Sequence, residues 1–200
     1  FQRIMTQLST FHDMDTLFEH IYNKLITPNF GENLGGELPL YIQPFPTRQQ
    51  SAIPQQVERL MKRLEKKGIS SLNINLYDLC TQILQEEGIL DAILEGERDI
   101  DKDTMVSTLD SVLDIKTVII PRIQSLIAEK EPKFVFIHAI GRVYPFLRSH
   151  GILNNIDELT AGSNLIFFFP GEYNNLQLKL FGRISDENYY RGQNLSDIIS

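Results

Sequence analysis

Two apolar runs, FVFIHAIGR (134–142) and NLIFFFPGEYN (164–174), determine the fold that the sequence predicts. The first run stops at the polar turn His138 to Arg142, and the second stops at Pro170 to Asn174. Short apolar runs that end in this way are typical of buried strands in a parallel or mixed sheet with helices on both faces. In such sheets, ligands and partners meet the turns beyond the carboxyl ends of the strands.

Three further strands complete the predicted sheet. Residues 38–45 form a short apolar segment bounded by prolines, which is typical of a strand near a sheet edge. Residues 70–77 alternate between apolar and polar side chains, with the period of a half-buried strand. Residues 176–180 predict an antiparallel or edge strand, beside the two opening strands at 133–139 and 164–169.

Apolar side chains at helical spacing predict the helices that join these strands. We expect helices at 1–26, 49–67, 79–88, 104–129 and 142–154. Asp78 is the expected N-cap of the third helix, Pro121 can break the fourth, and Pro145 fits the first turn of the fifth.

The alternation of strands and helices predicts a single three-layer α/β/α domain over residues 1–200. Its sheet is mostly parallel and has about five strands. Two hundred residues is an ordinary domain size, and the 42% hydrophobic content is typical of a globular chain. We find no internal repeat and no low-complexity segment.

Charge and cysteine content narrow the classes of function. The net charge of -7 makes duplex DNA a poor partner, because an acidic chain repels phosphate. Lys62, Arg63, Lys66 and Lys67 cluster on one predicted helix, but a solvated helix face explains such a cluster more often than a DNA site does. The single cysteine, Cys80, fits a reducing compartment. No apolar run approaches the roughly 18 residues of a membrane span, so we expect a cytoplasmic protein.

Motifs for phosphate and metal binding are missing from the sequence. It contains neither GxxxxGK[ST] nor GxGxxG, and the glycines at 31, 35 and 36 precede the first strand, where they cannot form a phosphate loop. The run from Asp99 to Asp103 has the first spacings of a calcium loop, but Thr104 stands where the loop needs glycine. The four histidines lack the spacing of a zinc site. We therefore expect no cofactor and no metal.

One candidate site lies at the carboxyl edge of the predicted sheet. If the two opening strands are neighbours, one rim holds His138, Arg142, Glu172, Tyr173 and Asn174. A histidine beside a glutamate can perform general acid-base catalysis. Alternatively, His138 bonds a backbone group and Arg142 pairs with Glu172, which would make these residues structural. Residues 189–191, Tyr-Tyr-Arg, fit either a docking patch or a tyrosine that closes the core.

Several stretches resemble a known family. They are GRVYPFLRSHGILNN (141–155), FFFPGEYN (167–174), LKLFGR (178–183) and NYYR (188–191). These stretches, and the order of the elements before them, are similar to the BrxB family of BREX phage-defence systems. BREX is a bacterial multi-protein barrier that blocks phage replication and methylates host DNA.

The resemblance implies a system and partners rather than a reaction. BrxB proteins have no recognised catalytic signature, and their fold is expected to be of the nucleotide-binding α/β type without the phosphate loop. The implied partners are other BREX proteins: a methyltransferase, a phosphatase-like protein and a large ATPase. We therefore expect a non-enzymatic assembly component that does not bind DNA directly. The alternative is a nucleotide- or nucleic-acid-handling enzyme with its site at the His138/Glu172 rim.

Residues 86–114 form an acidic block, which contains ten Asp or Glu residues and only two basic residues, Arg98 and Lys102. So many like charges cannot be buried unpaired. We therefore expect the block to be exposed, and either mobile or directed at a partner.

Overall fold

A computed structural model describes residues 13–32, 37–96, 101–160, 162–185 and 188–198. Its strands are β1 Leu40–Phe45, β2 Ser71–Asn75, β3 Phe134–His138, β4 Asn164–Asn174, β5 Gln177–Leu180, β6 Ile184–Ser185 and β7 Gln193–Asn194. Its α-helices are α1 Met14–Leu25, α2 Ile53–Glu65, α3 Leu76–Glu86, α4 Leu90–Gly96, α5 Lys102–Val112, α6 Ile120–Lys130, α7 Ile140–Val143 and α8 Ser149–Leu153.

The strands form one sheet with the order β2-β3-β4-β1-β7, and every pair along this path is parallel. β5 pairs with β4 in the antiparallel sense, and β6 pairs with β5 in the same sense. β1 is second from one edge, because β7 pairs along its outer side. This pairing involves only Tyr41 and Ile42 of β1. The mostly parallel sheet is therefore confirmed, with five described strands on its parallel path and two more, β5 and β6, beside it. The antiparallel strand near residues 176–180 is confirmed as β5.

Helices cover both faces of the sheet, because successive side chains of its buried strands point to opposite sides. In β3, Phe134 and Phe136 pack with α1 and α2, whereas Val135 and Ile137 pack with α3, α6, α7 and α8. The same alternation runs along β4 and β1. The three-layer α/β/α architecture is thus confirmed. The closer likeness to phosphate-loop folds stays a prediction.

The layer of α1 and α2 is built on aromatic contacts. Phe18 of α1 stacks on Phe168 of β4 with the ring centroids 5.4 Å apart, and Phe136 of β3 lies 6.2 Å from Phe168. All three side chains are buried. Burial of such a side chain contributes about 1.5–3 kcal/mol, so this cluster holds α1 against the centre of the sheet.

The start of α3 differs from the prediction. Helix α3 begins at Leu76 rather than at residue 79, and Asn75 is its N-cap in place of Asp78. The Asn75 side chain accepts hydrogen bonds from the backbone N–H groups of Tyr77 and Asp78. The side-chain amide of Asn75 also donates to the carboxylate of Asp78 at 2.6 Å. Residues 76 and 77 therefore belong to the helix and not to strand β2.

Two predicted helices are interrupted. The segment 104–129 breaks before Pro121, because the side chain of Asp114 accepts from the N–H of Thr117 and starts a single π-helical turn, Ile115–Ile119. Pro121 instead lies in the first turn of α6. The segment 142–154 splits into α7 and α8, since Tyr144 is extended before the cis peptide bond to Pro145.

Strand β4 is longer than predicted. It continues through Pro170 and Gly171 to Asn174 instead of stopping at Phe169. At Gly171 (φ +154°), an added Cβ would lie 2.1 Å from the carbonyl oxygen of Lys179 on β5. Glycine at this position thus lets β5 pair closely with the end of β4, and this pairing keeps the chain extended where Pro-Gly suggested a turn.

The described part of the acidic block is on the surface, as predicted. Its exposed carboxylates belong to Glu86, Glu87, Asp91, Glu95, Asp101, Asp103 and Asp110, and Asp114 is half-buried. Glu86 forms an exposed ion pair with Arg122. The calcium-like spacing begins at Asp99, which lies outside the described residues, as do residues 1–12 of the first predicted helix. Mobility of the block, or its contact with a partner, stays a prediction.

Candidate functional site

A cleft of about 350 Å³ lies at the carboxyl edge of the sheet. Its walls come from the ends of β1, β3 and β4 and from the segment that leads into α2. The lining residues are Phe45, Gln50, Ser51, Ile53, Pro54, His138, Ala139, Arg142 and Pro170.

The topology of the sheet creates this cleft. After β1 the chain passes to α2 on one face, and after β3 it passes to α7 on the opposite face. The two connections diverge over the end of β4, which lies between β1 and β3. Crevices between diverging connections are where open α/β sheets bind their ligands.

His138, the last residue of β3, is the central polar group of the cleft. It is buried, and its Nε2 lies 2.8 Å from Oδ1 of Asn73 on β2. An amide oxygen only accepts, so Nε2 carries the hydrogen and Nδ1 of the neutral ring is an acceptor. Nδ1 is buried and has no hydrogen-bond partner. Burial, with a smaller contribution from the nearby Arg142 charge, lowers the pKa of His138 to about 4, which keeps the ring neutral at pH 7.

Gln50 supplies a second buried acceptor without a hydrogen-bond partner. Its Oε1 lies over Gly141, where an added Cβ would come within 2.4 Å of it. The chain turns sharply here, since Ala139 has a left-handed backbone (φ 69°) directly before α7. That turn brings Gly141 under the Gln50 side chain and leaves the His138 ring at the end of its strand.

Arg142 is the cation of the cleft. Its side chain is exposed, and its guanidinium carbon lies 3.9 Å from the centre of the Tyr77 ring at the start of α3. Within the described residues no ion pair joins Arg142 to Glu172, so the alternative of a structural Arg142–Glu172 pair has no support in the geometry. The stacked ring holds the guanidinium at the edge of the sheet.

The other three predicted site residues lie on the extension of β4, and none of them lines the cleft. Glu172 is half-buried opposite Lys179 of β5, with Oε1 facing Gly182, and Asn174 is exposed at the hairpin end. The strand rises about 3.3 Å per residue, so its extension carries these side chains away from His138.

Tyr173 has a structural environment. Its ring is buried in the core, and its hydroxyl lies 2.9 Å from the carbonyl oxygen of Tyr190 and 2.7 Å from that of Gly192. Burial raises the pKa of Tyr173 to about 12, so the hydroxyl stays a donor at pH 7. The side chain therefore holds the segment that leads to β7.

The remaining candidates divide between core and surface. Of the tyrosine pair near the carboxyl end, Tyr190 is buried in the core and Tyr189 is 72% exposed. In the basic cluster, Arg63 forms a bidentate ion pair with Glu19, and its guanidinium lies over the ring of Tyr22. Burial raises the pKa of Cys80 to about 12, which makes this thiol a poor nucleophile.

The geometry sets limits on the chemistry of the cleft. His138 contacts an amide and not a carboxylate, so the pair needed for acid-base catalysis does not form between His138 and Glu172. In the part of the chain that the structure describes, no three His, Cys, Asp or Glu side chains are grouped to hold a metal ion. No helix among the described residues is long and apolar enough to cross a membrane.

Comparison with known proteins identifies the family. The model of the family "BREX protein BrxB" matches residues 72–195. A BREX protein BrxB of Bacillus cereus (strain H3081.97) is 32% identical over 185 residues, which cover 90% of this chain and 95% of that protein. Another, of Escherichia coli O9:H4 (strain HS), is 23% identical over 161 residues and 78% of each chain. No solved structure matches the chain. With a family model that spans more than half of its residues and a relative that matches over nearly its full length, the chain belongs to the BREX protein BrxB family.

Proposed function

We propose that this protein is a non-enzymatic assembly component of a bacterial BREX defence complex and that it binds another BREX protein through the β4–β5 hairpin. Membership of the BrxB family supports the system. The partners that the resemblance implies are the methyltransferase, the phosphatase-like protein and the large ATPase, and the protein works with them in the cytoplasm.

The single observation that carries the binding role is the conformation of Leu176. Asn175 and Leu176 form the two-residue turn between β4 and β5, and both have left-handed backbones (φ 50° and 64°). Glycine is the preferred second residue of such a turn, and a left-handed leucine costs about 1–2 kcal/mol. Leu176 is nevertheless 47% exposed. A strained apolar side chain directed at solvent is explained by a partner that covers it.

Two more exposed apolar side chains lie beside the same strand. Ile184 pairs with the last residue of β5, and Tyr189 precedes Tyr190, whose N–H donates to the carbonyl oxygen of Leu176 at 2.9 Å. We call Leu176, Ile184 and Tyr189 the hairpin surface. Exposed tyrosine and aliphatic side chains beside this hairpin fit the centre of a protein interface.

The enzyme alternative has less support. It needs His138 and Glu172 to act on one substrate, but only His138 lines the cleft. A neutral histidine whose Nε2 donates to an amide lacks the carboxylate that orients a general base. The assembly role explains both the hairpin surface and the missing acid-base pair.

A co-purification experiment tests the proposal. Affinity-tagged protein is isolated from cells that carry the whole BREX system, bound proteins are identified by mass spectrometry, and phage plaques are counted on the same cells. Leu176→Gly relieves the strained turn, so we expect the variant to be at least as stable as the wild type but to lose its BREX partner and its phage resistance.

Leu94→Ser is the matched control, because Leu94 is also an exposed leucine but lies on α4. This control should keep both partner and defence. If Leu176→Gly and Ile184→Ser retain the partner and full resistance, or if the wild-type protein carries no other BREX protein, the proposal is wrong.

A further inference from the structure

We propose that the cleft at the ends of β1, β3 and β4 binds a mononucleotide, with N–H groups of the base donating hydrogen bonds to His138 and Gln50 and the phosphate held by Arg142. This binding site is separate from the hairpin surface and requires no catalytic step.

The first argument is the pair of unsatisfied acceptors. Nδ1 of His138 and Oε1 of Gln50 are buried, have no hydrogen-bond partner and belong to residues that line the same cleft. A buried polar atom left without a partner costs about 1–3 kcal/mol. A ligand with N–H or O–H donors satisfies both atoms, whereas another acceptor would be repelled. Since Nε2 of His138 is already bonded to Asn73, the ring cannot turn to present a donor without losing that bond.

The second argument is the character of the walls. Apart from the polar groups, the lining consists of Phe45, Ile53, Pro54, Ala139 and Pro170. Apolar walls around a few polar atoms are typical of pockets for small organic ligands. A volume of about 350 Å³ is at the small end of the range of about 300–1,000 Å³ for such pockets. The space therefore suits one nucleotide and is too small for a dinucleotide.

The third argument is the charge at the edge of the cleft. Arg142 is exposed, lines the cleft and makes no ion pair with any described carboxylate. Its stacking on Tyr77 positions the guanidinium before a ligand arrives. A guanidinium binds phosphate through parallel hydrogen bonds. A ligand that combines N–H donors with an anion matches both ends of this cleft.

Entry of the ligand needs one movement. Both acceptors are shielded from solvent, so the flexible side chain of Gln50 must swing away from Gly141 to receive a donor. The base should carry an exocyclic amino group, because two acceptors need two N–H hydrogens. Adenine, guanine and cytosine have such a group and uracil does not, so AMP, GMP or CMP should bind more tightly than UMP.

Isothermal titration of the purified full chain tests this inference. AMP, GMP, CMP and UMP are titrated separately, with adenosine and inorganic phosphate as the two partial ligands. We expect at least one amino-bearing nucleotide to bind about tenfold more tightly than UMP, adenosine or phosphate. Gln50→Met should weaken the binding of that nucleotide about tenfold, because the acceptor oxygen is lost. Arg142→Gln should reduce its affinity to that of the nucleoside. Arg148→Gln is the control, since Arg148 is exposed and does not line the cleft.

Several results would overturn the inference. If phosphate binds as strongly as any nucleotide, the cleft is an ion site only. If none of the four nucleotides binds, the cleft is not a mononucleotide site. Equal affinities in the wild type, Gln50→Met and Arg142→Gln would place the ligand elsewhere. Leu176→Gly should keep the nucleotide, so failure of this site and failure of the hairpin surface are distinguishable.

Discussion

The Nε2 atom of His138 lies 2.8 Å from Oδ1 of Asn73, and this hydrogen bond joins the end of β3 to the middle of β2 beneath the cleft. The bond fixes the tautomer of a ring that is 1% exposed. It also prevents His138 from serving as a donor to anything in the cleft. A histidine that the sequence suggests as a catalytic base is therefore held as a neutral acceptor.

The first prediction is a pH dependence of stability that originates in His138. Its pKa is about 4 in the folded protein, below the ordinary 6.5. The unfolded chain therefore binds more protons between these two values, and stability falls as pH decreases from about 6.5 to about 4, by about 3 kcal/mol. His138→Gln removes the titration. Urea unfolding at several pH values should show a shallower decline for the variant, and parallel curves would contradict the prediction.

The second prediction concerns Tyr173. Tyr173→Phe keeps the buried ring but removes the hydroxyl that bonds the carbonyl groups of Tyr190 and Gly192. We expect a loss of about 1–2 kcal/mol in the free energy of unfolding. Amide exchange should become faster in β7, and phage resistance should fall only in proportion to stability. Unchanged exchange in β7 would show that the hydroxyl does not hold this segment.

The third prediction concerns Gly171. Gly171→Ala introduces a Cβ only 2.1 Å from the carbonyl oxygen of Lys179, so β5 must move away from β4. We expect destabilisation of more than about 2 kcal/mol. Gly68→Ala is the control, since Gly68 also has a positive φ (72°) but has nothing within 4 Å of the added carbon, and it should cost only about 1 kcal/mol. Similar melting temperatures for the two variants would refute the close approach.

The fourth prediction separates the two candidate caps of α3. Asn75→Ala removes the oxygen that accepts from Tyr77 and Asp78, and should cost about 1 kcal/mol. Asp78→Ala removes a first-turn carboxylate and should cost about 0.3–0.5 kcal/mol. Chemical denaturation of both variants gives the comparison. A larger loss for Asp78→Ala would restore Asp78 as the cap.

The layers of the fold follow from patterns that the sequence displays locally. β3 is apolar from Phe134 to Ile137 and β4 from Leu165 to Phe169, which predicts burial on both faces. The alternation in 70–77 predicts β2, although residues 76 and 77 belong to α3. The end of β4 was not predictable in this way, because Pro170 and Gly171 have turn propensity. They stay extended through the pairing of Pro170 with Phe45 of β1 and of Gly171 with Leu180 of β5. Tertiary pairing overrode local preference there.

The candidate site was predicted in part. His138 and Arg142 line the cleft because both follow β3 directly, whereas Gln50 was missed. Gln50 is a polar residue in a predicted helix, and only the position of β4 between β1 and β3 places it near Gly141. Asn73 is one of the polar residues in the alternating segment 70–77, and nothing in that segment indicates its contact with the His138 ring. Contacts between distant segments leave no local signal in one sequence.

The position of β1 in the sheet determines when the protein can finish folding. Leu40 pairs with Leu165 and Tyr41 with Gln193, so both neighbours of β1 are synthesised more than 100 residues after it. At about 5–20 residues per second, β1 waits on the order of ten seconds on the ribosome with its backbone unpaired. The units from β2 to β4 need only their own connections, so β1 is expected to join after them through its pairing with β4, and β7 then pairs with β1. The sheet thus closes around a strand that is made long before both of its neighbours.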